Sequence, residues 1–246
     1  MRLKGEITQA RYMGAVTQAK YKSAINYMPP VLMTPDIIYD GNTVAWYDFN
    51  DLSTITKDGG NLVSRWNDKL LSGHDLIQAT ATKQPLLSSD GILFDGVDDF
   101  MKTVAFTFDQ PEMIYIVFKQ VTWTSLDKVF DGDSYISGTL YQSVNTPELR
   151  LWAGGAIGGN NNLPVDTFGI VRALINAASS KTIVNNTTPQ TGTVGASNMG
   201  GFTLGAGANS TQCGHIQVKE IIPRKIADNE TDETAIYNYL KNKYGL

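Results

Sequence analysis

The chain has 246 residues, enough for one large β domain or two ordinary ones, with 42% apolar and only 18% charged residues. The net charge of −4 argues against a general nucleic-acid binder. A single cysteine, Cys213, excludes an internal disulfide and a cysteine metal cluster. Two histidines, His74 and His215, are too few for a histidine-based zinc site without carboxylates.

Residues 1–28 carry Arg2, Lys4, Arg11, Lys20 and Lys22 against Glu6, a net of +4 that leaves −8 on the remainder. They also repeat. Read in nines from Lys4, Gly5 matches Gly14 and Ser23, Ile7 matches Val16 and Ile25, and Tyr12 matches Tyr21. A small residue followed two places on by a β-branched one describes a short strand that turns back at fixed intervals. Such a unit cannot bury its own apolar side, so it needs another chain or copies of itself. The expectation is an extended N-terminal anchoring arm that works through Arg2, Lys4, Ile7, Arg11, Tyr12, Val16, Lys20, Tyr21, Lys22 and Ile25. A frayed tail and a helix are the alternatives, and the recurring Gly and Thr–Gln pairs weaken the helix. No apolar stretch follows the basic start, so a secretory signal is not expected. No run approaches the roughly 20 apolar residues of a membrane helix, so membrane insertion is not expected either. Pro29, Pro30 and Pro35 then favour an extended linker over 29–42.

Residues 43–246 read as one β domain. Val44 to Phe49 is an aromatic-rich strand, Asp51 to Gly60 a loop, Leu62–Trp66 a short element, and Leu86–Leu87 another. Ile92–Leu93–Phe94 meets the turn dipeptide Asp95–Gly96, which staples an inner strand to the next one over. Met113 to Phe118 is nearly all apolar, so it is buried on both faces or lies mid-sheet. Further strands are expected at Lys128–Phe130, Thr139–Ser143, Leu149–Trp152, Phe168–Ile175, Thr182–Val184, Phe202–Gly205 and Gln217–Ile222. They recur about every 8–12 residues with turn signals between, the pattern of a sandwich or barrel. Only the end reads as helix. Asp228 or Asn229 caps it, Glu230, Asp232 and Glu233 crowd its first turn, and Lys241 and Lys243 its last. Ile236, Tyr239, Leu240 and Tyr244 make one apolar stripe and Gly245 is the stop. This helix is expected to lie across the sandwich and close one end.

Several stretches resemble the concanavalin A-like lectin/glucanase jelly rolls, in the laminin-G-like form common in bacteriophage virion proteins. They are Trp46–Tyr47–Asp48 with Trp66–Asn67–Asp68, Asp75 to Ala79 running to Gln84–Pro85, Leu93–Phe94–Asp95–Gly96 with Asp98–Asp99, and Val218 to Ile222 with the ending Lys243–Tyr244–Gly245–Leu246. The resemblance implies an all-β fold: a two-sheet antiparallel jelly-roll sandwich with a C-terminal helix and first and last long strands close together. It also implies a virion protein, made in a bacterial cytoplasm. The arm would then bind other virion proteins, the chain would form a homo-oligomer with a trimer preferred, and the outward domain would bind host glycans. The leading expectation is a non-enzymatic head fibre or similar decoration protein. The alternatives are a carbohydrate-binding adhesin or receptor-binding tail protein and, more remotely, a glycoside hydrolase.

Three residue groups bear on these choices. The enzymes of this fold carry Glu-x-Asp-x-Glu or a close variant, and no such string occurs here: Glu112, Glu148 and Glu220 stand singly, so no enzyme is expected. Sugar binding needs exposed aromatic platforms beside polar groups, which singles out Trp123, Tyr141 and Trp152 with Asn160 and Asn161 of the Gly/Asn loop; the competing reading puts the tryptophans in the core. Asp95, Asp98 and Asp99 either hold calcium, which laminin-G-like domains often bind, or are structural, with Asp95 shaping the turn while one of Asp98 and Asp99 faces solvent. No other cofactor is expected. His74 and His215 have no assigned role, and Cys213 reads as an unreactive thiol.

Overall fold

The computed structural model describes residues 33–143 and 147–246. The expected arm and all ten of its named residues lie outside the described residues, as do residues 29–32 of the linker. Thr34–Leu246 is one compact unit.

Among its described residues sixteen strands build it: β1 (Tyr47–Asp48), β2 (Ile55–Lys57), β3 (Val63–Trp66), β4 (Leu76–Ile77), β5 (Leu86–Ser88), β6 (Gly91–Leu93), β7 (Met101–Lys102), β8 (Glu112–Gln120), β9 (Lys128–Asp131), β10 (Thr139–Gln142), β11 (Leu149–Trp152), β12 (Gly169–Ile175), β13 (Ser180–Val184), β14 (Gln190–Gly192), β15 (Thr203–Leu204) and β16 (Ile216–Arg224). One sheet runs β14–β13–β12–β8–β16–β6–β5, with β1 also paired to β16. The other runs β11–β10–β9–β15–β7–β4–β3–β2. Neighbouring strands are antiparallel, and Tyr47 stands opposite Ile221, so the first and last strands are adjacent as expected.

Strand β8 shows why this sequence makes layers. It lies between β12 and β16, and its side chains alternate between two cores. Ile114, Ile116 and Phe118 face the other sheet among Trp66, Phe94, Phe130 and Phe202. Met113, Tyr115 and Val117 face outward beneath the helix. Each such side chain contributes about 1.5–3 kcal/mol by leaving water, so the first sheet needs a layer on both sides.

The outer layer is helix α1 (Glu230–Tyr244). Asn229 caps it by accepting from the Thr231 and Asp232 amides at 2.9 and 3.0 Å, and Gly245 ends it at φ 67°. Ile236, Tyr237, Tyr239 and Leu240 cover Met113, Tyr115, Val117, Ile170, Leu174 and Ile222. The helix therefore lies across the sandwich as expected, but it covers a face and does not close an end, because the apolar outward positions lie mid-sheet.

Two further expectations change. Residues 34–42 belong to the sandwich unit and are no spacer: Asp36–Tyr39 forms a 3-10 turn, Ile38 is fully buried, and Asp40 pairs with the buried Arg224 at 3.0 Å. The Asp95–Gly96 turn does not make a hairpin. It carries the chain from β6 in one sheet to β7 in the other, with Gly96 at φ 75° and pressed against His215. Strands β2, β4 and β14 were not expected. They have two or three residues each, too few to show an alternation, and β2 and β14 are half-exposed sheet edges.

Candidate functional site: a cleft on the open face

The outer face of the second sheet carries a cleft of about 210 Å³, lined by Leu126, Lys128, Tyr135, Ile136, Thr139, Tyr141, Trp152 and Gln212. Strand alternation builds its floor. In β9, β10 and β11, Phe130, Leu140, Leu149 and Leu151 enter the core, which leaves Thr139, Tyr141 and Trp152 on the opposite side. Pairing then gathers them, since Thr139 stands opposite Trp152 across one strand boundary. On the other boundary Leu140 opposes Phe130, yet Tyr141 opposes Lys128. The residue skipped is Val129. That bulge re-aims Lys128 to the aromatic side, a common use of an extra residue in a strand.

The rim is held by buried polar groups. Tyr135 donates its hydroxyl proton to Gln212 Oε1 at 2.8 Å, and the Lys128 amide donates to the Gln212 carbonyl at 2.8 Å. Asp131 is fully buried and accepts from the amides of Gly132, Ile136 and Ala208 at 2.9, 2.8 and 3.1 Å. Burial raises its pKa against the pull of those three donors. Its carboxylate thus shapes the loop that carries Tyr135 and Ile136.

Lys128 is the least ordinary member. Only 4% of it is exposed. Its Nζ lies 4.6 Å from the centroid of the Tyr141 ring, and it has no hydrogen-bond or ion-pair partner among the described residues. Burial lowers its pKa, opposed by the nearby charges of Asp131 and Asp127.

Of the five residues proposed for sugar contact, the fold brings Tyr141 and Trp152 together, half-buried as platforms on one face. The other three do not line the cleft. Trp123 sits in the loop after β8 with its indole N–H buried and unpartnered among the described residues. Asn160 is buried, exchanges backbone bonds with Leu149 at 2.8 Å, and accepts from Asn162 at 3.1 and 2.8 Å, so its amide organises the Gly/Asn loop. Asn161 is exposed beside it. Lys128, Tyr135, Thr139 and Gln212 were missed. The outward parity of Thr139, Tyr141 and Trp152 was readable from the strands; the arrival of Lys128 and Gln212 depends on pairing.

Carboxylates meet elsewhere. Asp48 and Glu220 stand opposite each other on β1 and β16, but on the face covered by α1. Glu220 is fully buried and accepts from Trp46 Nε1 at 2.7 Å, Tyr239 Oη at 3.1 Å, Tyr244 Oη at 2.7 Å and Lys243 Nζ at 2.6 Å. Asp48 takes Lys69 and Lys243 at 2.8 Å each. Burial raises Glu220 in spite of Lys243. With its oxygens occupied and the helix above, this pair clamps helix to sheet.

The ligand atoms of Asp95, Asp98 and Asp99 lie within 4.8 Å of one another. Asp95 Oδ1 already accepts from the Val97 and Asp98 amides at 2.8 and 3.3 Å, and Asp99 Oδ2 from the Asp95 amide at 3.0 Å. Burial, with the charges of Asp95 and Asp98, raises the Asp99 pKa to about 6. These bonds give Asp95 and Asp99 a part in shaping the turn. Cys213 is buried, which pushes its thiol up to about 11. Among the described residues no helix is long and apolar enough to cross a membrane.

No family model matches the chain. No curated protein matches it in sequence. Solved structures do match. Trypanosoma rangeli sialidase superposes with a TM-score of 0.60 at 12% identity, over 91% of this chain and 37% of that one. A GH54 α-L-arabinofuranosidase soaked with a cyclic sulfate inhibitor gives 0.61 at 12% over 85% and 65%. An arabinofuranosidase complexed with arabinofuranosyl-α-1,2-xylobiose gives 0.60 at 13% over 85% and 64%. The chain thus spans about a third of the sialidase and just under two thirds of the arabinofuranosidases. At these identities the likeness establishes a shared β-sandwich fold. It also overturns two expectations, the non-enzymatic phage decoration protein and the assignment of no enzyme. The structures in question are named for acting on glycosides, and none of them brings a link to a phage particle. The fold, an antiparallel two-sheet sandwich compatible with a lectin-like domain, stands.

Proposed function

We propose that the sandwich is a carbohydrate-recognition domain and that its binding surface is the cleft on the outer face of the second sheet. One observation carries the reading: strand pairing sets Tyr141 and Trp152 on the same face, half-buried, around a cleft that also offers the Gln212 amide and the Lys128 ammonium. Sugar rings stack their C–H faces on aromatic rings while their hydroxyls seek such polar edges, and recognition sites combine a mainly apolar lining with a few placed polar groups. The likeness to proteins that handle sialic acid and arabinofuranosyl-xylobiose supports the same class of ligand.

A glycosidase sets two carboxylates across the scissile bond, whereas this cleft is lined by rings, a hydroxyl, an amide and an ammonium. The proposal is therefore of recognition, and assaying the same sugars for turnover reports whether cleavage accompanies it. The test is a glycan array followed by titration calorimetry of the hits. Trp152→Ala and Tyr141→Ala should each weaken the best hit by tenfold or more while Trp123→Ala leaves it unchanged. Equal binding by wild type and Trp152→Ala would refute the assignment of the cleft.

A further inference from the structure

We infer that the cleft selects an acidic sugar, one bearing a carboxylate or sulfate, and that the ammonium of Lys128 is the group that meets its charge; this rests on the recognition reading above. Most of the other lysines that the fold withdraws from solvent are paired with a carboxylate; Lys83, half-buried over Phe100, is not. Lys69 meets Asp48 and Asp51, Lys119 meets Asp166, Lys181 meets Glu233, Lys219 meets Asp90, and Lys243 meets Asp48 and Glu220. A buried charge is costly unless paired, so this pattern is what stability alone requires.

Lys128 breaks the pattern while being more buried than any of them. Two acids lie close in sequence, yet neither neutralises it by contact. Asp131 spends its oxygens on the amides of Gly132, Ile136 and Ala208, and neither it nor Asp127 reaches within ion-pairing distance. The neighbour that Lys128 has is the face of Tyr141, a cleft residue, which offers a cation–π attraction but no acceptor for the three ammonium protons. Arg150, opposite Tyr141 on β11, is already matched by Glu148 at 3.0 Å. Lys128 is thus the uncompensated cation of this cleft. A ligand anion would supply the missing acceptor in a largely buried site, where screening by water is weaker and a charge-assisted bond is stronger.

Matched pairs of sugars test this by calorimetry: sialyllactose against lactose, trigalacturonate against its methyl ester, and sulfated lactose against lactose. In at least one pair the acidic member should bind tenfold or more tighter. Lys128→Met should erase that preference, so that the acidic and neutral members of the responding pair bind alike. Which pair responds identifies carboxylate or sulfate. Neutral members binding as tightly as their acidic partners in every pair would overturn the inference, and so would an acid preference that survives Lys128→Met. The wild-type comparison decides even if the variant misfolds. If no sugar of either kind binds, the recognition reading itself fails and the inference falls with it.

Discussion

The two outer faces of the sandwich treat a buried lysine in opposite ways. Under the helix, Lys243 keeps 10% of its side chain exposed and touches two carboxylates, and the tyrosines around it satisfy what is left. On the open face Lys128 is more deeply buried and rests on one aromatic ring. The first arrangement reads as fold maintenance, because every charge is answered within the chain. The second holds a cation at a cost in stability, and such unanswered groups concentrate at functional sites.

Breaking the closed face should have the largest effect. Lys243→Met leaves Glu220 and part of Asp48 buried without their cation, and should cost about 3–5 kcal/mol in urea unfolding. An unchanged midpoint would mean that the network is decorative.

A buried acid sharpens the contrast from the other side. Glu112 is fully buried, has one oxygen on the Met199 amide at 2.6 Å and the other unpartnered, and burial raises its pKa to about 8. In the unfolded chain it releases its proton near the ordinary glutamate value, in the folded protein only near 8, so between those values the folded state binds more protons. Its contribution to stability therefore declines as pH rises from about 4.5 to 8 and is flat above. Glu112→Gln keeps the acceptor for Met199 and should remove that decline, on the order of 4–5 kcal/mol across the window. Parallel pH profiles of variant and wild type would contradict it.

The open face should respond in the reverse sense to the closed one. Lys128→Met removes an unpaired buried charge and keeps the shape, so stability at pH 7 should hold or rise by about 1 kcal/mol. A loss as large as that of Lys243→Met would erase the distinction between the faces. The smallest effect is expected at the acidic turn. Asp99→Asn retains the acceptor for the Asp95 amide and relieves like-charge repulsion, so it should be neutral or stabilising by under about 1 kcal/mol at pH 7. It should also flatten the fall in stability between pH 4 and 6 that a carboxyl titrating near 6 produces.

What could be read from the sequence, and what could not, follows the range of the interactions. Met113 to Phe118 announced a strand with two buried faces, and Asn229 with Gly245 bounded the helix, because these signals are local. Tyr141 and Trp152 stood out for the same reason. Strands of two or three residues such as β2, β4 and β14 are defined by their partners and have no pattern of their own. Lys128 was legible only as the first residue of a strand. Its meeting with Tyr141 depends on a bulge at Val129, and its lack of an anion depends on Asp131 being taken by Ala208, 77 positions away. Trp123 and Asn160 misled because residue type marks a candidate but not the face on which it lands.

The central claim is that sugars bind at the Tyr141–Trp152 cleft. The four tryptophans give four indole N–H signals in a nitrogen-15 correlation spectrum, and Trp152→Phe identifies the one from the cleft. Titrating sialyllactose or trigalacturonate, whichever binds tighter by calorimetry, should shift the Trp152 signal while those of the buried Trp46 and Trp66 stay in place. Saturable binding with the Trp152 signal unmoved would put the ligand elsewhere and contradict the account.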